Sequence, residues 1–275
     1  MIIFPGSKIN LGLNIVNRRA DGYHNIESVM VRTGWSDILE IVPSKSASTT
    51  LTLSGNHVEC PPEKNLVMKA YRALEQRLGP LPAADIYLRK IVPDGAGLGG
   101  GSADAAATVK GLNEVFSLGL SREEMAEVCA RIGADCPFFI YDTPMLVTGT
   151  GTTIRPVEVE AIKGMRIVII KPQRSVSTAQ AYAGAKLSGK ESGIELIAAG
   201  PASEWPMRLT NGFEPSVGAA LPEIELLKSY LYGMGAAYAS MSGSGSSVYG
   251  LFEGDILADD IEPPVADCIT FTGIM

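Results

Sequence analysis

An α+β chain folded in two lobes is what this sequence predicts, on three observations. Its 275 residues exceed the usual size of one small domain. Strand-like and helix-like patterns mix along the chain, but two helical patterns follow one another after a glycine-rich segment with no strand between them, which breaks the alternation of a parallel α/β sheet. Near Pro156–Met165 a Gly/Thr-rich turn leads into a fresh strand. That point divides an N-terminal lobe, 1–160, from a smaller α+β C-terminal lobe, 161–275.

The elements follow in order. From Ile9 the apolar residues Ile9, Leu11, Leu13 and Ile15 alternate with Lys8, Asn10, Gly12 and Asn14, the period-two pattern of a half-buried strand, so Lys8 and Asn10 share a face. Strands are also predicted at Asp37–Val42 and Thr50–Leu53, the latter ending at the turn-like Ser54-Gly55-Asn56. Asn65–Leu78 is predicted as a helix, with Leu66, Ala70, Leu74 and Leu78 at helical spacing and Gly79-Pro80 as its stop. Ala84–Ile91 reads as a strand that runs into Pro93-Asp94-Gly95-Ala96-Gly97-Leu98-Gly99-Gly100-Gly101-Ser102. A helix from about Ala103 to Phe116 follows, its core face formed by Ala105, Val109, Leu112 and Phe116. Ser121-Arg-Glu-Glu124 is a capping box for the next helix, which Gly133 ends. The C-terminal lobe reads as a strand at Arg166–Lys171, short helices near Ala179–Leu187 and Glu223–Tyr232, and a hairpin of Ala236–Met241 and Ser247–Phe252 about the turn Ser242-Gly-Ser-Gly-Ser246.

Composition narrows the function. With 46% hydrophobic and 19% charged residues the chain is neither disordered nor membrane-spanning in type. A net charge of −7 opposes a broad nucleic-acid or anionic-membrane surface, so any anion must be held locally. Cys60, Cys129, Cys136 and Cys268 lack C-x-x-C spacing and His24 lies far from His57, which weakens zinc-site and disulfide readings. The start Met-Ile-Ile-Phe-Pro lacks the pattern of a secretory leader, and a cytoplasmic location with reduced thiols is expected.

The chemistry concentrates in the glycine-rich segment. Five of the seven residues from Gly95 to Gly101 are glycine, which lets successive backbone N–H groups turn inward as an anion nest. The helix that opens near Ser102 adds the positive end of its macrodipole, making a phosphate site in an otherwise repulsive protein. Gly95-x-Gly97-x-x-Gly100 also satisfies the dinucleotide fingerprint, but the strand and acidic residue that should follow are replaced by the Ser121-capped helix. No G-x-x-x-x-G-K-[ST] sequence occurs, which excludes a Walker A loop. On their own, Asp135 reads as a turn residue before Pro137, Lys8 as a solvated strand residue, Tyr23 as packing and His24 as a surface-turn histidine.

Three ordered motifs alter those readings. Pro93-x-Gly-Ala-Gly-Leu-Gly-Gly-Gly-Ser-Ala-Asp-Ala-Ala resembles the second motif of the GHMP kinases, Lys8-Ile-Asn10-Leu-Gly-Leu the N-terminal one, and Ser242-Gly-Ser-Gly-Ser246-Ser-Val-Tyr-Gly-Leu-Phe the C-terminal one. Within that superfamily, Arg19-Ala-Asp-Gly-Tyr-His24 and Gly133-Ala-Asp135-Cys-Pro-Phe-Phe resemble the branch that phosphorylates a diphosphocytidyl-linked methylerythritol. The resemblance spans nearly the whole chain. It departs at Ala103, where a second serine is common, at Thr152, where a glutamate is frequent, and at Ala179, where a proline is frequent.

The resemblance implies a two-lobed GHMP fold with an N-terminal nucleotide-binding lobe, a ferredoxin-like C-terminal lobe, and ATP with Mg²⁺ as cofactors. It implies Asp135 as the base that takes the substrate hydroxyl proton, and Lys8 as the cation that holds that carboxylate and stabilises charge. Pro93, Gly95, Ala96, Gly97, Leu98, Gly99, Gly100, Gly101, Ser102 and Asn65 would contact the nucleotide. Asn10 would orient the polyol, Tyr23 and His24 would recognise cytosine, and Thr178 and Tyr182 would approach the substrate from the second lobe. Ser102 or Asp104 would assist Mg²⁺, since hard oxygen ligands suit that ion. The expected partner is a small molecule, with neither nucleic acid nor membrane, on a monomer or homodimer. Other GHMP kinases acting on mevalonate-type, homoserine or sugar substrates are the alternative, as is a catalytically idle sensor of the same fold.

Overall fold

The computed structural model describes residues 1–57 and 60–275. In chain order its strands are β1 (Ile2–Ile3), β2 (Gly6–Arg18), β3 (His24–Ser36), β4 (Ile38–Pro43), β5 (Thr50–Gly55), β6 (Ala84–Lys90), β7 (Met145–Gly149), β8 (Thr153–Pro156), β9 (Arg166–Lys171), β10 (Tyr238–Met241), β11 (Val248–Phe252) and β12 (Ile269–Ile274). The α-helices are α1 (Leu66–Leu78), α2 (Gly100–Val115), α3 (Arg122–Ala130), α4 (Thr178–Ala183), α5 (Ile194–Ala198), α6 (Trp205–Arg208), α7 (Glu214–Ala220) and α8 (Glu223–Gly233). The expected mixed α+β class holds. These elements form two compact units, neither of them one continuous stretch of chain.

The first unit comprises Met1–Ser7, Trp35–Asp94 and Gly99–Asp142. Its sheet has the order β1-β4-β6-β5, with β5 parallel to β6 through the crossover helix α1 and the other pairs antiparallel. Leu39, Ile41, Ile86 and Leu88 are buried along with Ala70 and Leu74 of α1 and Ala105, Val109 and Leu112 of α2. Each large side chain so buried contributes about 1.5–3 kcal/mol. At Gly111 a Cβ would come within 2.6 Å of Ile41 and 2.8 Å of Ile3, so helix and sheet approach as closely as they do because that residue has no side chain. Trp35 is buried in this unit. Ser121 accepts from Glu124 N while Glu124 accepts from Ser121 N, the capping box expected for α3.

The second unit comprises Lys8–Gly34, Gly95–Leu98 and Thr143–Met275. One sheet has the order β2-β3-β7-β8. The other, β10-β11-β9-β12, is antiparallel throughout, with Tyr249 opposite Ile169 and Phe271 opposite the same residue on the other side. Read from the far edge as β12-β9-β11-β10, this is the strand order of a ferredoxin-like sheet, its second crossover reduced to the 3-10 turn Ala258–Asp260. Phe213, Val217, Ile224, Leu227 and Leu231 of the helical segments pack on Val168, Ile170, Met241 and Val248, and Leu13 and Ile15 of β2 join that cluster. Trp205 is fully buried, its indole N–H donating to Ile197 O at 3.0 Å and its ring meeting Tyr238 edge-on at 5.7 Å.

Candidate active site

The alternation along β2 turns Lys8 and Asn10 to one face, as the sequence predicts, but neither is solvated: they are 3% and 1% exposed. A buried ammonium must find acceptors. Lys8 Nζ donates to Asn10 Oδ1 at 2.6 Å and to Gly97 O at 3.0 Å. Asn10 Nδ2 in turn donates to Ser28 Oγ at 2.8 Å, and Ser28 Oγ to Gly12 O at 2.7 Å, so the amide of Asn10 is held in one orientation. Tyr249 donates its hydroxyl to Asn10 O at 2.7 Å.

The same unit grips the first part of the glycine loop by its carbonyls. Ala96 O accepts from Ser247 N at 3.1 Å, Gly97 O from Lys8 Nζ and from Ser242 Oγ at 2.9 Å, and Leu98 O from Lys8 N at 2.9 Å. In a trans peptide the C=O and the N–H point in opposite directions. Three consecutive carbonyls drawn to protein donors therefore turn the amides of Gly97, Leu98 and Gly99 the other way, which is the geometry of an anion nest. Gly95, Gly97 and Gly99 take φ of +59°, +74° and +68°, the left-handed conformations that such a path requires.

The turn Ser242–Ser246 does more than close a hairpin. Beside the bond from Ser242 to the loop, Ser244 Oγ lies 3.1 Å from Thr178 Oγ1 and Ser246 Oγ donates to Arg174 O at 2.7 Å. Buried Asn211 supports the turn from behind, donating to Met241 O at 2.7 Å and Gly243 O at 2.8 Å. Helix α4, which carries Thr178 and Tyr182, starts from a capping box of Ser177 and Gln180. The rings of His24 and Tyr182 stack at 4.6 Å, and Tyr182 meets Phe213 edge-on at 4.7 Å. Tyr23 is 68% exposed.

In the first unit, α2 begins at Gly100 and Ser102 and Asp104 lie in its opening turns. Ser102 and the charge of Asp135 both act on the thiol of Cys136: burial pushes it up to about 11, while Ser102 pulls it down and Asp135 raises it. The structure thus brings Asp135 and Ser102 to one neighbourhood. Asp135 precedes the 3-10 helix Cys136–Ile140, and its side chain is not spent on capping that helix. Asn65 is the N-cap of α1, accepting from Val67 N at 2.9 Å, and the adjacent Leu66 lies against Gly101.

Sequence reasoning missed a buried ion cluster here. Lys90 Nζ donates to Asp104 Oδ2 at 2.8 Å and to Asp37 Oδ2, while Asp37 Oδ1 accepts from Val92 N at 2.8 Å and Ile91 N at 2.5 Å. In the sequence Asp37 and Lys90 carry only strand patterns, and no spacing rule links positions 37, 90 and 104. Burial raises the Asp104 carboxyl to about 7, against the pull of Lys90 and with a further push from Asp37. Lys90 is raised: burial, the largest effect, lowers it, but two carboxylates outweigh that. Asp104 Oδ1 has no hydrogen-bond partner. Among the described residues no group of three His, Cys, Asp or Glu could hold a metal, and no helix is long and apolar enough to cross a membrane.

The chain belongs to the GHMP kinases: the model for the GHMP kinases N terminal domain matches residues 65–143 and that for GHMP kinases C terminal matches 194–266. It is an ATP-dependent small-molecule kinase. Among its relatives is the 4-diphosphocytidyl-2-C-methyl-D-erythritol kinase of Parabacteroides distasonis, 48% identical over 92% of each chain. The enzyme of that name from Porphyromonas gingivalis is 41% identical over 100% of each. A crystal structure of 4-(cytidine 5'-diphospho)-2C-methyl-D-erythritol kinase superposes with a TM-score of 0.78 at 28% identity, covering 92% of this chain and 91% of that one.

Proposed function

We propose that this protein transfers the terminal phosphoryl group of ATP to the 2-hydroxyl of 4-diphosphocytidyl-2-C-methyl-D-erythritol, a step of the non-mevalonate isoprenoid pathway. The names of its relatives support the substrate, and the orientation of the glycine-loop carbonyls supports the phosphate site. The amides opposite those carbonyls, with the N-terminus of α2, would hold the triphosphate. Asp135 would accept the proton as the substrate oxygen bonds to the terminal phosphorus and the bond from that phosphorus to the bridging oxygen breaks, releasing ADP. Lys8 would stabilise charge that develops in the transition state, and Asn10 would orient the polyol. His24 and Tyr23 would bind the cytosine, with Thr178 and Tyr182 close to the substrate.

Mg²⁺ would neutralise phosphate charge, held chiefly by phosphate oxygens, with the Ser102 hydroxyl as the protein donor; Asp104, the other candidate, is 2% exposed and bound to Lys90, which suits it less to that role. The division into lobes 1–160 and 161–275 belongs to the same reading, supported by family matches on either side of it. So do a cytoplasmic setting, a monomer or homodimer, and the absence of nucleic-acid or membrane partners, which the net charge of −7 favours.

The decisive variant is Asp135→Asn. It should lower kcat by roughly 10²–10⁴ and leave ATP affinity largely intact, the range for a positioned acid–base group. Unchanged turnover removes Asp135 from the chemistry. ADP release compared across the diphosphocytidyl polyol, mevalonate, homoserine and galactose tests the substrate, and preference for any of the last three rejects this reading.

A further inference from the structure

Buried ion pairs are costly, and apolar residues of similar volume usually fill such a space at least as well. The cluster of Asp37, Lys90 and Asp104 is nearly dry, at 0%, 5% and 2% exposure, and it sets two carboxylates against one ammonium. Its place in the chain gives it a use. Lys90 is the last residue of β6, the strand that enters the glycine loop, and Asp104 lies in the opening turns of α2, the helix that leaves it. Asp37 clamps the amides of Ile91 and Val92 between them. A Cβ at Gly100 would stand 3.4 Å from Lys90 Nζ and 3.1 Å from Val92, so the first residue of α2 rests against Lys90 and Val92.

We propose that Asp104 and Lys90 are positioning residues for the nucleotide: their hydrogen bond fixes the span between the two ends of the glycine loop and hence the spacing of its phosphate-binding amides. The proposal rests on the glycine loop as the triphosphate site. Negative charge from a surplus carboxylate gains nothing beside a polyphosphate, so the bond, not the charge, is the useful property. Asparagine at 104 should therefore serve as well as aspartate, whereas alanine should not.

The test measures Kd for a nonhydrolysable ATP analogue and the steady-state constants for both substrates in wild type, Asp104→Asn and Asp104→Ala. In Asp104→Ala the ammonium keeps Asp37, so no unpaired charge is left to unfold the protein. Kd for the analogue and KM for ATP should rise about tenfold, since small misplacements of binding groups carry large penalties. Neither kcat nor KM for the polyol should move by more than about threefold, and Asp104→Asn should stay within about twofold of wild type throughout.

Binding is measured with Mg²⁺ and again in EDTA. Positioning predicts the same relative loss in both, and a loss confined to Mg²⁺ would make Asp104 a metal ligand and overturn the proposal. A folded Asp104→Ala with wild-type affinity overturns it too. If that variant does not melt cooperatively, the triple replacement Asp37→Asn, Lys90→Met and Asp104→Leu removes all three charges at similar volume and keeps an acceptor for the amides of Ile91 and Val92, and unchanged affinity there is equally fatal. Failure of the wild type itself to bind the analogue would instead refute the phosphate site on which the proposal stands.

Discussion

No side chain fits between Gly97 and Ser242: a Cβ built on Gly97 would lie 2.0 Å from the carbonyl oxygen of Ser242 and 3.1 Å from Gly245 N. The contact presses the second motif of the chain against the third, and its φ of +74° would strain any L-residue as well. Gly97→Ala should therefore displace the loop from its anchors. The expected outcome is a KM for ATP raised about tenfold or more, with the melting temperature lowered by several degrees, measured by initial rates and calorimetry.

Asn65 carries a structural duty alongside the one expected for it. Asn65→Ala removes the cap of α1 and should cost about 1 kcal/mol of stability. Asn65→Asp restores an acceptor for Val67 N and hence the stability. If Asn65 also binds nucleotide through its amide N–H, the aspartate variant will still show a raised KM for ATP. Denaturant melts and ATP kinetics on the two variants separate the duties.

Lys171 supplies a pH dependence. It is 5% exposed, its ammonium donating to Pro172 O, Ser175 Oγ and Arg174 O, and burial holds it below the ordinary lysine value, with the Cys268 thiol acting the opposite way. A folded-state value below the unfolded one means that the native protein binds fewer protons in that interval. Stability from this group is present in full above about 10.5 and is lost as pH falls through the depressed value. Urea melts from pH 8 to 10.5 should show wild type gaining stability relative to Lys171→Met as pH rises. Parallel curves would contradict this.

His24→Ala tests recognition of the base. Loss of the ring that stacks on Tyr182 should lower kcat/KM for the cytidine-bearing substrate about tenfold or more, the worth of a buried hydrogen bond with its contacts, and leave KM for ATP unchanged. Full efficiency with that substrate would remove His24 from recognition.

Much of the fold was legible because its elements carry local signals. Arg166–Lys171 and the helices capped by Asn65 and Ser121 match expectation within a residue or two. The long strand His24–Ser36 leaves no strand signal in the sequence: residues from Ile26 to Val31 are buried without a break, so the alternation that marks a strand vanishes. Helix α2 begins at Gly100 rather than near Ala103, since glycine's poor helix propensity hides a start imposed by packing on Val92 and Leu66. The helix expected over Ala179–Leu187 stops at Ala183. Leu78, expected on the buried face of α1, is 42% exposed, while Val67 and Tyr71 take that role.

At the site, the glycine loop was legible from composition, but its anchors were not. The bonds from Ser242 and Lys8 to Gly97 join positions far apart in sequence, and only the folded chain reveals them. Nor could periodicity tell that Lys8 is buried: its strand pattern is that of a residue facing water, and of the acceptors Asn10 and Gly97 only Asn10 lies on the same strand, while Gly97 comes from far along the chain. The family motifs pointed to these residues without saying what holds them.

The two tryptophans of this chain, Trp35 and Trp205, fall one to each compact unit, both shielded from solvent. Intrinsic fluorescence therefore comes with a built-in spectroscopic label for each unit. With Trp205→Phe or Trp35→Phe, a single emission trace follows denaturation of one unit at a time, and superimposable traces from the two proteins would mean that they melt as one cooperative body.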